Sequence, residues 1–142
     1  MLTPIAIAAD HGGFELKQAL IEALDARGYQ THDFGTKTND PVDYPDYIRD
    51  VCRAVSKSWH GILICGTGIG MSIAANRFHG IRAALCHDTE TARLSRQHNN
   101  ANVLCLGGRV LTAEQAIEIV TVWLTTEFSG EERHQRRLDK IE

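Results

Sequence analysis

Five consecutive residues, Gly61-Ile62-Leu63-Ile64-Cys65, are small or apolar whichever way a strand would point them. A strand with one wet face alternates polar and apolar residues, so this run belongs inside a sheet covered on both sides. Sheets of that kind are parallel, and parallel strands need a crossover between them, usually a helix. The rest of the chain supplies both parts in alternation.

Ile5-Ala6-Ile7-Ala8-Ala9 is a second short apolar run. After Gly12-Gly13, Leu16, Ala19, Leu20, Ala23 and Leu24 recur at helical spacing, and Gly28 stands where a helix-terminating glycine belongs. Further strands are expected over residues 29–34, 82–86 and 103–106, and helices over 44–56 and 89–98. Another helix should pass through Ala74-Ala75-Asn76. Thr112 followed three residues later by Gln115 is a capping box opening a helix that carries Ile117, Val120 and Leu124. The charged tail, 130–142, suits one more helix. The reading is a single-domain, three-layer α/β/α Rossmann-like fold with a five-stranded parallel sheet and a C-terminal helical tail.

A chain of 142 residues fits one domain and can bury roughly 68–70% of the surface its unfolded form exposes. A net charge of −3, with no basic stripe, argues against nucleic acid. No apolar stretch is long enough to cross a bilayer, so no membrane partner is expected. The start Met1-Leu2-Thr3-Pro4 carries no basic residue, and Asp10-His11 interrupts the apolar run that follows. No secretory leader is therefore expected. The widely spaced cysteines, Cys52, Cys65, Cys86 and Cys105, read as reduced thiols of a cytoplasmic protein, three of them simple small hydrophobes. Seven histidines form no H-x-H or H-E-x-x-H pattern, so no metal is expected, and no cofactor.

Ligands of open parallel sheets bind beyond the carboxyl ends of the strands. Asp10-His11, Cys65-Gly66-Thr67-Gly68-Ile69-Gly70 and Gly107-Gly108-Arg109 stand there. Glycines at 66, 68 and 70 let the backbone approach a ligand and turn N–H groups toward it. Donors so arranged favour anions, including a thiolate at their mouth. The turn is neither a dinucleotide fingerprint, since Met71 replaces the third glycine, nor a phosphate-binding Walker loop. Alone, it marks a tight turn as readily as a site.

More specific is a set of five blocks in order and register. They are A-A-D-H-G-G-F-E-L-K, D-Y-P-D-Y, G-I-L-I-C-G-T-G-I-G-M-S-I-A-A-N-R, L-S-R-Q-H-N-N-A-N-V-L-C-L-G-G-R and E-R-H-Q-R-R. Together they resemble the ribose-5-phosphate isomerase B family, which also includes allose-6-phosphate and galactose-6-phosphate isomerases. The resemblance implies aldose–ketose interconversion of a phosphorylated sugar through an enediol, without a cofactor. It makes Cys65 the base and His98 the group that assists ring opening. Some members use a glutamate six residues later; Met71 stands there in this chain. Asp10 would hold sugar hydroxyls and assist ring opening, and Thr67 with the amides of Gly66, Gly68, Ile69 and Gly70 would stabilise the enediolate. Asn99 would hold a sugar oxygen and Tyr44 would line the pocket. His11, Arg109, Arg133 and Arg137 would bind the phosphate.

Plainer roles exist for several of these. Asp10 is a good helix cap, His98 suits a helix C-terminus, and Arg133 and Arg137 sit in a mixed-charge run of the kind that usually faces solvent. A non-catalytic phosphate- or nucleotide-binding module would need the glycine turn and arginines but neither Cys65 nor His98. Topology adds a further expectation. Cys65 ends a strand, whereas His98 and Asn99 precede one, and in a parallel sheet those are opposite edges. A homodimer or dimer of dimers with shared sites, His98 and the tail arginines coming from a neighbour, would bring them together.

Overall fold

The computed structural model describes residues 2–142. Five strands, β1 (Ile5–Ala9), β2 (Thr31–Asp33), β3 (His60–Cys65), β4 (Ala83–Leu85) and β5 (Val103–Gly107), form one sheet in the order β2-β1-β3-β5-β4. Every pairing is parallel, with Ile7 opposite Ile62 and Leu63 opposite Cys105. All five residues of β1, and all but His60 of β3, are buried, as strands covered on both faces must be.

Six helices cover the sheet and extend the chain: α1 (Phe14–Ala26), α2 (Arg49–Val55), α3 (Ile69–Ala75), α4 (Thr89–Gln97), α5 (Ala113–Thr125) and α6 (Glu132–Ile141). One core layer packs Leu16, Leu20 and Leu24 of α1, Ala92 of α4 and Trp123 of α5 on Ile5, Ile7, Ile62, Ile64 and Leu104. The opposite layer packs Val51 and Val55 of α2 and Met71 of α3 on Ala6, Ala8, Leu63 and Cys105. Connections from the central β1–β3 pair therefore leave in both directions, and the crevice between the ends of β1 and β3 is where such a sheet receives a ligand.

Local signals read from the sequence recur in the bonds. Gly28 has φ +86°, and Tyr29 N–H donates to Leu24 C=O to close α1. At the start of α5, Thr112 Oγ1 accepts from Gln115 N–H while Gln115 Oε1 accepts from Thr112 N–H. The expected tail helix is α6.

The helix expected over 44–56 is instead two pieces. Residues Tyr44–Tyr47 form a tight 3₁₀ turn with Pro45 at its start, bonded Asp46 N–H to Asp43 C=O and Ile48 N–H to Pro45 C=O, and α2 begins only at Arg49. That winding places Tyr47 against Gly35 and Tyr44 against Gly70 while Ile48 is buried. Strands β2 and β4 are shorter than expected, because each is an edge strand with a single partner.

Candidate active site

Three turns meet at the carboxyl edge between β1, β3 and β5. Asp10 is buried, and its Oδ1 accepts from Gly12 N–H at 2.8 Å and Gly13 N–H at 3.2 Å, closing the turn into α1. Asp10 is therefore not the helix cap, since Gly13 holds that position and no side chain caps it. Oδ1 braces the turn before α1, and Oδ2 makes no hydrogen bond among the described residues. Arg109 N–H donates to Gly66 C=O at 2.9 Å and Gly108 N–H to Cys65 C=O at 2.8 Å, lacing the third turn to the second. The Arg109 guanidinium lies on Gly66, its Nη1 3.2 Å from where a Cβ would stand, and pairs with no acid among the described residues.

Cys65 closes β3 and is 5% exposed. Its Sγ accepts the N–H of Gly68 at 3.1 Å. Gly68 needs to be glycine twice over: its φ is +81°, and a Cβ would sit 2.6 Å from Leu85 Cδ1 and 2.9 Å from Leu106 carbonyl carbon. Gly70 lies under the exposed Tyr44 ring, where a Cβ would stand 2.7 Å from Tyr44 Cζ and the ring would have to shift. Thr67 Oγ1 accepts from Ile69 N–H at 3.3 Å. Two of the turn amides expected to face an oxyanion, those of Gly68 and Ile69, are therefore occupied within the turn. The N–H groups of Gly66 and Thr67 have no partner among the described residues, and a developing oxyanion could take them.

A cleft of about 230 Å³ opens beside these turns, lined by His11, Gly12, Glu15, Leu16, Asn39, Gly108 and Arg109. His11 Nδ1 accepts from the N–H of Val42 at 3.1 Å. Glu15, Asn39 and Val42 were not foreseen from the sequence; Asn39 and Val42 arrive on a loop with no periodicity to mark them. Among the described residues no group of acidic, histidine and cysteine side chains suited to a metal ion is present.

The other predicted residues gather elsewhere. His98 follows α4, and its ring stacks on His134 of α6 with centroids 4.3 Å apart. Burial holds the His134 imidazole below its ordinary pKa, with His98 and Arg133 adding to the effect. Arg133 and Arg137, one helical turn apart, are exposed on α6, Arg133 Nε lying 3.0 Å from Glu131 Oε2. Asn99 borders a groove with Asn76, Ile81, Ala83, Ala84, Leu138 and Ile141. His98 and Asn99 precede β5 in the chain, and Arg109 follows it. Five strand residues at about 3.3 Å each separate the two edges, several times hydrogen-bond reach. One chain does not bring His98 to Cys65.

Comparison with known proteins agrees along the whole chain. A sequence profile of the Ribose/Galactose Isomerase family matches residues 5–141. Ribose-5-phosphate isomerase B of Escherichia coli is 48% identical over 139 residues, covering 96% of this chain and 93% of that one. A putative sugar phosphate isomerase of Bacillus subtilis is 48% identical over 140 residues, with the same coverage. Among solved structures, ribose 5-phosphate isomerase of Thermotoga maritima superimposes with a TM-score of 0.95 at 52% identity, covering 98% of this chain and 97% of that one. Ribose-5-phosphate isomerase B of Clostridium thermocellum does so with a TM-score of 0.95 at 50% identity, covering 98% and 95%.

Proposed function

Because the chain belongs to the Ribose/Galactose Isomerase family, we propose that it interconverts ribose 5-phosphate and ribulose 5-phosphate, with Cys65 as the base. The carrying observation is the Cys65 thiol, held by the Gly68 amide at the crevice mouth, beside a cleft that offers His11 and Arg109 to a phosphate. In the open-chain sugar, a Cys65 thiolate takes the proton from C2. The electron pair moves to the C1 carbonyl oxygen as the enediolate, a proton passes from the C2 hydroxyl to that oxygen, and the thiol returns its proton to C1 as the C2 carbonyl forms. The free N–H groups of Gly66 and Thr67 suit that oxygen, and donors of this kind contribute about 3 kcal/mol each to the transition state. Asp10 Oδ2 remains open to a sugar hydroxyl, and His98 assists ring opening. Nothing in this scheme calls for a metal or cofactor.

The reading requires a second copy of the chain, which would bring His98, Asn99, Arg133 and Arg137 to the glycine turn. Surface chemistry supports it. Ile69 and Ile73, one turn apart on α3, are 51% and 56% exposed. Asn76, at the end of α3, borders the apolar groove that holds Asn99. Ile69 and Ile73 thus lead along α3 from the Cys65 turn toward the Asn99 groove, a strip of apolar side chains interrupted by Asn76. A two-fold partner packed across this strip would bury α3 and set each glycine turn against the other chain's second cluster.

Turnover of ribose 5-phosphate by the wild type and by Cys65→Ala, both dialysed against a chelator, tests the reading. Strong wild-type turnover, lost by orders of magnitude in the variant, supports it. Absence of turnover on ribose 5-phosphate with activity on allose 6-phosphate or galactose 6-phosphate moves the assignment to a six-carbon substrate. Silence on all three overturns it.

A further inference from the structure

Lys17 is fully buried, which is rare for a lysine, and nothing in the reaction above uses it. Its Nζ lies 2.7 Å from Asp33 Oδ2, 3.3 Å from Gln18 Oε1 and 5.2 Å from the centre of the Phe14 ring. Through Asp33 the contact continues toward the site. Asp33 Oδ1 accepts from Gly35 N–H at 2.8 Å. Gly35 C=O in turn accepts from Ala9 N–H, and Thr36 N–H donates to Ala9 C=O, both at 2.7 Å. The chain leaving β2 is thereby pinned to the last residue of β1, beside Asp10 and His11.

From Thr36 the loop crosses exposed residues 37–41, whose side-chain bonds are local, Thr38 to Asp40 and Lys37 back to Asp33. It lands again at Val42, whose N–H donates to His11 Nδ1 at 3.1 Å. An amide hydrogen can be accepted only by an unprotonated ring nitrogen. The neutral ring so held carries its own proton on Nε2. His11 is then a hydrogen-bond donor to the cleft without having to be cationic.

We propose that Lys17 is a positioning residue: through Asp33 it anchors the 34–43 loop so that Val42 holds His11 as the Nε2–H tautomer, ready to donate to the substrate's phosphate group. The role of His11 in this statement rests on the isomerase reading; the tautomer and its dependence on Lys17 do not. Lys37 reaches the same Asp33 carboxylate at 3.2 Å but from solvent, and an exposed pair of that kind contributes little.

Imidazole ¹⁵N spectroscopy of His11, with steady-state kinetics, is the test. It uses the wild type, Lys17→Met, Asp33→Asn and Lys37→Met, with folding of each checked by circular dichroism. The wild-type neutral ring should be protonated at Nε2. Lys17→Met should shift it toward mixed tautomers and raise KM for ribose 5-phosphate roughly two- to tenfold, the range set by one hydrogen bond, with kcat little changed. Lys37→Met should alter neither. If Lys17→Met does not fold, Asp33→Asn takes its place with the same expectation. A wild-type ring protonated at Nδ1 overturns the proposal, and so does a folded Lys17→Met or Asp33→Asn with unchanged tautomer and KM. A wild type that fails to turn over any sugar phosphate would remove the isomerase reading and leave the tautomer result standing.

Discussion

The imidazole of His98 stacks on that of His134, with centroids 4.3 Å apart and planes inclined by 18°. His134 Nε2 is buried without a hydrogen-bond partner among the described residues. Burial, then the neighbouring His98 and Arg133, lowers this ring's pKa from its ordinary value of 6.5 and so favours its neutral form. What His134 gives His98 there is a flat surface.

His134→Phe should therefore keep the stack, remove a buried orphan nitrogen and leave both melting temperature and kcat/KM close to wild type at pH 7.5. His134→Ala removes the surface and should lower both. Thermal melts and turnover of the two variants side by side decide the matter; equal losses would mean that the imidazole nitrogens matter rather than the ring face.

Gly68→Ala should be among the costliest single-methyl additions in the molecule. A residue with a Cβ at φ +81° costs about 1–2 kcal/mol. The overlap with Leu85 and the Leu106 backbone adds about 1–3 kcal/mol. Together these correspond to a fall in melting temperature of roughly 5–15 °C for a chain this size. Since the Gly68 amide also holds Cys65 Sγ, activity measured well below the melting temperature should fall too. Retained stability with lost activity would show that the turn relaxes by moving the thiol.

His60 governs part of the acid response. It packs edge-on against Trp123 at 5.2 Å, and burial, with Arg96 nearby, pushes its pKa down to about 4 from 6.5. The unfolded chain thus takes up this proton more readily than the folded one. Stability from this group is complete above pH 6.5 and is lost progressively as pH falls from 6.5 to about 4. Urea midpoints at pH 7, 5.5 and 4.5 should fall along that series, and His60→Phe should flatten the fall. An unchanged slope in the variant would assign the acid sensitivity elsewhere. Burial raises the Asp33 pKa, but Lys17 and the Gly35 amide more than offset it. The stability this group gives is complete above its ordinary value of 3.8 and is lost only below it, outside this window.

The sheet and the glycine turn were legible because each rests on neighbours in sequence. A strand apolar on both faces, a capping box and a helix-ending glycine leave local marks. The 3₁₀ turn over Tyr44–Tyr47 left none, since Pro45 suits the first turn of an α-helix equally well. Lys17 left no such mark. It lies beside the apolar stripe of α1, where a lysine ordinarily reaches solvent, and its partner Asp33 stands sixteen residues away. Val42 meets His11 across thirty-one residues through a backbone amide that any residue but proline could supply. Contacts of that kind come from packing, and only the folded chain reveals them.

The separation of Cys65 from His98 yields the sharpest prediction. If each site takes its thiol from one chain and its imidazole from the other, Cys65→Ala and His98→Asn are lesions in different halves of one site. Each variant alone is inactive. A mixed dimer holds one site with both lesions and one with neither. After unfolding and joint refolding at equal amounts, half of the dimers are mixed, each with one of two sites intact, so about a quarter of wild-type activity should return. Sites complete within one chain would carry a lesion in every copy, and mixing would return nothing. Refolding the two variants separately and combining them only in the assay, under conditions where dimers do not exchange, controls for simple addition.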